Sequence, residues 1–311
     1  MAMTAAVTQR RVGWGKYLYK NRWLYLMSVP GLAFLILFKY IPIYGVVMAF
    51  QDFKFKTGVF GSPFNHFKHF VTLFSSDRFY RVLTNSITLS SMRLVASFPV
   101  PVLLALLLNE IHARWFKRCS QTLMYLPHFI SWVVLSGIVV NFLSMNDGLV
   151  NDLIQALGGK KVNFLGSSAW FRAMIIGTNI WKEAGWGTVI YLASLASINP
   201  EYYEAATVDG ANRFQKIRYV TIPGVSGTIV IMLVLAVGGL MNNGFEQIYL
   251  FQNDLNISVS DIFETYTYNI GVVGGQYSYS TAVGLFKNMV GAILIFTSNT
   301  LAKRLGGATL Y

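Results

Sequence analysis

Six long apolar runs, at 24–50, 82–108, 123–143, 169–193, 224–240 and 281–302, restrict this chain to one kind of surrounding. A helix rises about 1.5 Å per residue, so about 20 such residues cross the roughly 30 Å hydrocarbon core of a bilayer. In lipid the backbone N–H and C=O groups must be satisfied internally, which makes each run a helix. The sequence therefore reads as an all-α polytopic membrane protein with about six transmembrane helices. Composition agrees, because 54% of the 311 residues are hydrophobic and only 12% are charged. Soluble domains carry about 25% charged residues. The net charge of +12 raises the question of nucleic acid, but the basic residues are scattered between the apolar runs. No face gathers them, so no nucleic-acid partner is expected.

Their distribution sets a topology instead. Arg10, Arg11, Lys16, Lys20 and Arg22 precede the first run without an acid among them. They place residues 1–23 in the cytoplasm, and the apolar run that follows is too long for a removable signal peptide. Arg114, Lys117 and Arg118 mark a first inner loop, Arg213, Lys216 and Arg218 a second, and Lys303 and Arg304 the inner end of the last run. Residues 242–280 hold Glu246, Asp254, Asp261 and Glu264 but no Lys or Arg, which reads as external. Both termini are then cytoplasmic, with a permeation domain at 24–302 between the segments 1–23 and 303–311. Pro99 and Pro101 are expected to kink the second span, since each removes a backbone donor. The single cysteine, Cys119, excludes an internal disulfide and a cysteine-built zinc site.

One polar island, 196–223, interrupts the apolar pattern. Asn199 is suited to cap a helix that begins at Pro200, where a missing N–H costs nothing, and Glu201 favours the positive end of the helix dipole. Gly210 supplies a positive φ that ends it. The rod at 200–209 is about 15 Å long, too short to span. Ala205 and Ala206 leave its middle nearly bare, a shape that enters a groove on another protein.

The spacing Glu204-Ala205-Ala206, two residues, Asp209-Gly210-Ala211, then Ile217, Val220 and Ile222-Pro223 resembles the cytoplasmic coupling loop of permease subunits of bacterial ABC importers. The family usually has Phe, Ile and Leu where this chain has Ile217, Val220 and Ile222, and the replacements stay apolar. The resemblance covers most of the chain and is nearest to the oligo- and polysaccharide-uptake branch, in which acidic polymers such as alginate are imported. It implies a type I importer fold in the bacterial cytoplasmic (inner) membrane. It also implies a second permease subunit of different sequence, two ATPase subunits that bind ATP and Mg, an extracytoplasmic solute-binding protein, and a saccharide substrate. The chain itself shows no metalloprotease motif, nucleophile elbow or phosphate loop, so no catalytic residue, metal site or cofactor is assigned to it.

Two groups of residues are candidates for the substrate pathway. Lys182 and Glu183 stand inside the fourth run beside Trp181 and Trp186, and an ionisable residue within a membrane helix faces a cavity or a partner by default. An interfacial belt or a structural ion pair is the competing explanation, and Arg93 in the second run is read as a structural partner of Glu183. Asn242 and Asn243, followed by Glu246, Gln247 and Tyr249, combine amides, a carboxylate and an aromatic ring. Sugar hydroxyls pair with the first two kinds of group and pyranose faces with the third. Helix capping and an aromatic belt would explain the same residues. The resemblance adds that positions matching Asn242 and Asn243, and positions near Glu183 and Trp186, contact sugar in maltose-type permeases, although this chain carries larger or charged groups at the last two. An ion-driven transporter or channel is the rival class, but neither inverted repeats nor buried acidic proton carriers stand out. A membrane-embedded enzyme lacks a nucleophile or metal cluster.

Overall fold

Proline and charge, more than apolarity, decide where the helices of this chain break. The computed structural model describes residues 14–304, which form helices and turns apart from one isolated antiparallel bridge between Gln51 and Phe64. The expected cytoplasmic ends, 1–23 and 303–311, lie largely outside the described residues. The principal helices are α1 (Arg22–Phe50), α2 (Asp77–Asn109), α3 (Arg114–Phe129), α4 (Trp132–Leu143) and α5 (Ser168–Ala196). They continue with α6 (Pro200–Val208), α7 (Arg213–Met241), α8 (Phe245–Phe251) and α9 (Tyr277–Arg304).

Four of these, α1, α2, α7 and α9, are long and apolar enough to cross a membrane alone, while α3 and α4 qualify only as a pair bent by 97°. Helix α5 has the length, at 29 residues, but Arg172, Lys182 and Glu183 dilute its apolar surface. The expected count of six is therefore not reached by apolarity alone. Four or five spans satisfy that measure.

The expected span at 123–143 is broken by this bend. Pro127 removes a backbone donor, and the chain tightens over Leu126–Phe129 before Ile130 and Ser131 turn extended. The Ser131 hydroxyl then caps the new helix by accepting from the Val134 N–H at 3.3 Å. Helix α2, by contrast, stays one span. Its regular ladder is interrupted at Phe98, one residue before Pro99.

Three clusters build the core from one end of the molecule to the other. Leu73, Phe79, Val82, Phe263, Tyr266 and Val283 pack around the N-terminal ends of α2 and α9. Leu89, Phe171, Ile175, Ile248 and Ile262 join α2, α5 and α8, and Ala105, Tyr191, Leu195 and Val225 join α2, α5 and α7. Close approach of α3 to α5 depends on Gly185, where a Cβ would collide with the Met124 carbonyl. Helix α1 is the exception to this packing, since every residue from 22 to 44 is exposed and only its end, at Ala49, is buried.

The segment 242–280 is not an open loop. It folds into α8 and the short helices Ile257–Ser260 and Phe263–Tyr268, and two of its acids are tied down. Asp261 accepts from Arg78 Nε at 2.8 Å, and Glu264 pairs at 2.8 Å with Lys287 on α9. After α1 the chain is pinned at Asp52, whose carboxylate accepts from Asn65 Nδ2 at 2.9 Å and lies 3.4 Å from Lys68 Nζ. The Asn65 bond holds the Asp52 carboxyl below the usual carboxylate range, against the opposing effect of desolvation and with further help from Lys68.

Candidate functional site

The polar island folds as a short rod locked at both ends. The Asn199 side chain accepts from the Glu201 N–H at 3.1 Å, and α6 runs from Pro200 to Val208 with Asp209 as its C-terminal cap, one residue shorter than expected. Gly210 takes φ of +74°, and its N–H donates to the Thr207 carbonyl at 3.1 Å while that of Ala211 donates to the Ala206 carbonyl at 2.9 Å. That pair of bonds satisfies carbonyls that the helix end would otherwise leave open. Asn212 opens the next turn at once, accepting from the Gln215 N–H at 2.9 Å while the Gln215 side chain accepts from the Asn212 N–H at 2.7 Å.

Two side-chain links join α6 to the start of α7. The Tyr203 and Thr221 hydroxyls are 3.0 Å apart, and Lys216 Nζ donates to Thr207 Oγ1 at 2.8 Å. Neither link is visible in the motif. Between α6 and α7 lies a groove of about 760 Å³, lined by Ala205, Ala206, Asp209, Ala211 and Pro223 among others. Glu204 and Ile222 are exposed beside it, as is Gly210. The bare face of α6 is thus at least partly open, and two side-chain hydrogen bonds link the helix to a spanning one.

The pathway candidates divide into two places. In the first, Glu183 Oε2 and His128 Nδ1 are 2.8 Å apart, and the His128 ring stacks on Trp186 with centroids 4.7 Å apart at 2°. Glu183 and Trp186 are partly open, whereas Lys182 is buried. The Lys182 ammonium reaches the elbow between α3 and α4 and also lies 3.7 Å from Glu183 Oε1. It donates to the carbonyls of His128 at 2.5 Å and Ile130 at 2.7 Å and lies 5.5 Å from the centre of the Trp132 ring. Its surroundings are those of a structural cap. His128, which no motif announced, is the group that joins Glu183 to Trp186.

In the second place, Asn242 lines a cavity of about 400 Å³ with Ser90, Arg93, Ser97, Phe98 and Asn179. Asn243, its neighbour, is fully buried and commits its groups to the protein interior. Its side chain accepts from Ser90 Oγ at 2.8 Å and donates to the Ser86 carbonyl at 3.3 Å, and its N–H donates to Glu264 Oε1 at 3.2 Å. Arg93 does not pair with Glu183, contrary to expectation. It donates to the Asn243 carbonyl at 2.8 Å and to Gln247 Oε1 at 2.7 Å, and Gln247 in turn donates to the Ile175 carbonyl and to Thr178 Oγ1. Glu246 is exposed on α8.

The four residues expected to converge, Asn242, Asn243, Glu183 and Trp186, are therefore not gathered in one cavity of this chain. Asn179, Glu183 and Trp186 fall at i, i+4 and i+7 on α5, so one helix face connects the two places. Among the described residues no group of acids, histidines and cysteine is arranged to hold a metal ion.

Comparison with known proteins gives this arrangement its context. Residues 97–307 match the family described as binding-protein-dependent transport system inner membrane component. The chain is 46% identical to protein LplB of Bacillus subtilis, over 94% of this chain and 92% of that protein. It is 45% identical to the polygalacturonan/rhamnogalacturonan transport system permease protein YteP of the same organism, over the same shares. A chain in the crystal structure of a bacterial alginate ABC transporter, in complex with its alginate pentasaccharide-bound periplasmic protein, superposes with a TM-score of 0.87 at 38% identity. That match covers 96% of this chain and 99% of the other. With its helical fold and its match over most of the chain, the protein belongs to the binding-protein-dependent transport system inner membrane component family, as a multi-pass permease of the sugar ABC importers.

Proposed function

We propose that this chain is one of two different permease subunits that pass an acidic oligo- or polysaccharide across the bacterial cytoplasmic membrane, with both of its termini on the cytoplasmic side. Two ATPase subunits bind ATP and Mg and close on the nucleotide, and α6 moves with them. The links Tyr203–Thr221 and Lys216–Thr207 carry that displacement to α7, and the spans open outward to a loaded binding protein. Glu204, Ala205, Ala206, Asp209, Gly210, Ala211, Ile222 and Pro223 form the coupling surface. The observation that carries this reading is the partly open, nearly bare face of α6 beside the 760 Å³ groove, joined by two side-chain hydrogen bonds to a spanning helix.

An acidic saccharide is supported by the relatives, one of which is a polygalacturonan/rhamnogalacturonan permease and another part of an alginate transporter. The test is purification in mild detergent followed by reconstitution. An ATPase should be retained with the chain, and its hydrolysis should rise when a binding protein loaded with uronate oligomers is added. Uptake that followed an ion gradient, with no ATPase retained, would establish the rival class of secondary transporter.

A further inference from the structure

The cavity that Asn242 lines contains a cation without a direct ion pair. Arg93 stands near the middle of α2, and its terminal nitrogens donate to neutral acceptors, the Asn243 carbonyl and Gln247 Oε1. Its Nε is buried without a hydrogen-bond partner, and so is the hydroxyl of Ser97, one helical turn further along the same face. Among the described residues no carboxylate lies within 4.0 Å of the guanidinium. Of the nearest acids, Glu264 pairs with Lys287 at 2.8 Å through Oε1 while its Oε2 is buried without a partner, and Glu183 pairs with His128 at 2.8 Å, so both attract the guanidinium only from beyond direct contact.

Such an arrangement is costly for a membrane protein to maintain. A charge inside the bilayer pairs with an opposite charge or faces water, and buried donors are almost always satisfied. Here Arg93 and Ser97, whose unfilled donor atoms are themselves covered, both line one cavity of about 400 Å³, together with Asn179, Asn242 and Phe98. A guanidinium and a hydroxyl beside one space donate to a carboxylate, amides exchange hydrogen bonds with sugar hydroxyls, and a phenyl ring covers an apolar pyranose face.

We propose that Arg93, assisted by Ser97, is the point in the pathway that receives the carboxylate of a uronate unit, and so selects acidic over neutral saccharides. This rests on the acidic-saccharide reading above. Lys182, the other cation near the pathway, is occupied by the elbow carbonyls and does not serve this purpose.

The experiment uses the complete complex, with second permease, ATPases and binding protein, in proteoliposomes. Uptake of galacturonate and mannuronate oligomers is compared with that of their carboxyl-reduced, neutral counterparts. Arg93→Gln should lower the acidic-to-neutral uptake ratio by about 10- to 100-fold, as expected for charge-assisted bonds. Ser97→Ala leaves the bonds of Arg93 intact and should lower the ratio by about fivefold, because its hydroxyl donates more strongly to a carboxylate than to the hydroxyl of the reduced sugar. If Arg93→Gln fails to assemble, the Ser97 variant alone decides. A wild-type ratio that favours uronates and is unchanged in every variant that assembles would overturn the inference while leaving the acidic-saccharide reading in place. A wild-type complex that takes up none of the uronate oligomers would remove that reading and this inference with it.

Discussion

Replacing Lys182 with methionine separates a structural role for this ammonium from one in the pathway. Lys182 is buried and donates to the carbonyls of His128 at 2.5 Å and Ile130 at 2.7 Å, at the break between α3 and α4. Each hydrogen bond of a charged group contributes about 1.5–3 kcal/mol, so the gross loss is roughly 3–6 kcal/mol. Methionine also removes the cost of desolvating an ammonium, which brings the expected destabilisation to the lower end, about 3 kcal/mol. Thermal unfolding of the purified complex in detergent, followed by tryptophan fluorescence, provides the measurement. Glu183→Gln is the comparison, because it removes the carboxylate 3.7 Å from Lys182 Nζ while the bonds from Lys182 to the elbow remain. That change should cost less than Lys182→Met, since the carboxylate is partly exposed. The Lys182→Met protein should be less stable yet retain uptake per assembled molecule. A variant as stable as wild type that has lost uptake would refute the structural assignment and return Lys182 to the pathway.

Three further outcomes are expected. Ala206→Trp should block docking at the bare face of α6, and Gly210→Pro should force φ from +74° to about −65°, breaking the turn that ends it. Both should assemble but show ATP hydrolysis without matching uptake, so full uptake by either would contradict the coupling role. Asp52 has a depressed pKa, so its contribution to stability is complete above the ordinary carboxylate range and is lost as pH falls through its lowered value. Limited proteolysis of the segment 51–76 should therefore accelerate on acidification, and an Asp52→Asn protein should lack that transition. A reporter fused after Gln215 should be cytoplasmic and one near Asp254 external, since a basic segment faces an acidic one; reversed activity at either site would invert the topology.

Apolar runs made most of the spanning helices legible, because length and the need to satisfy the backbone leave few alternatives. The cap at Asn199 and the positive φ of Gly210 were equally legible, being local chemistry with few solutions. The elbow was harder. Pro127 signals a break, but the 97° turn is held by Lys182, whose partner carbonyls lie more than fifty residues away in sequence. A charge within an apolar run shows that it needs a partner, not which one, and so Lys182 read as part of a pathway. Asn242 and Asn243 are identical in type and adjacent, yet one lines a cavity and the other is enclosed by Ser86, Ser90 and Glu264. Only the direction in which the chain leaves α7 separates them. Lys287 lay unnoticed in the last apolar run because its partner, Glu264, belongs to a segment that reads as an external loop.

The segment that joins α6 to α7 has a consequence for information as well as movement. Only Ala211 lies between the glycine that ends α6 and the asparagine that opens the next turn, and the bonds of both caps are filled. A connection with so little compliance has no preferred direction. On the proposed function, if nucleotide on the ATPase subunits raises the affinity for a loaded binding protein by some factor, then the binding protein must raise the affinity for nucleotide by that same factor. In that scheme the side of the membrane that supplies the cargo would report its presence to the side that consumes the fuel, and a softer linker inserted at Ala211 would weaken both messages equally.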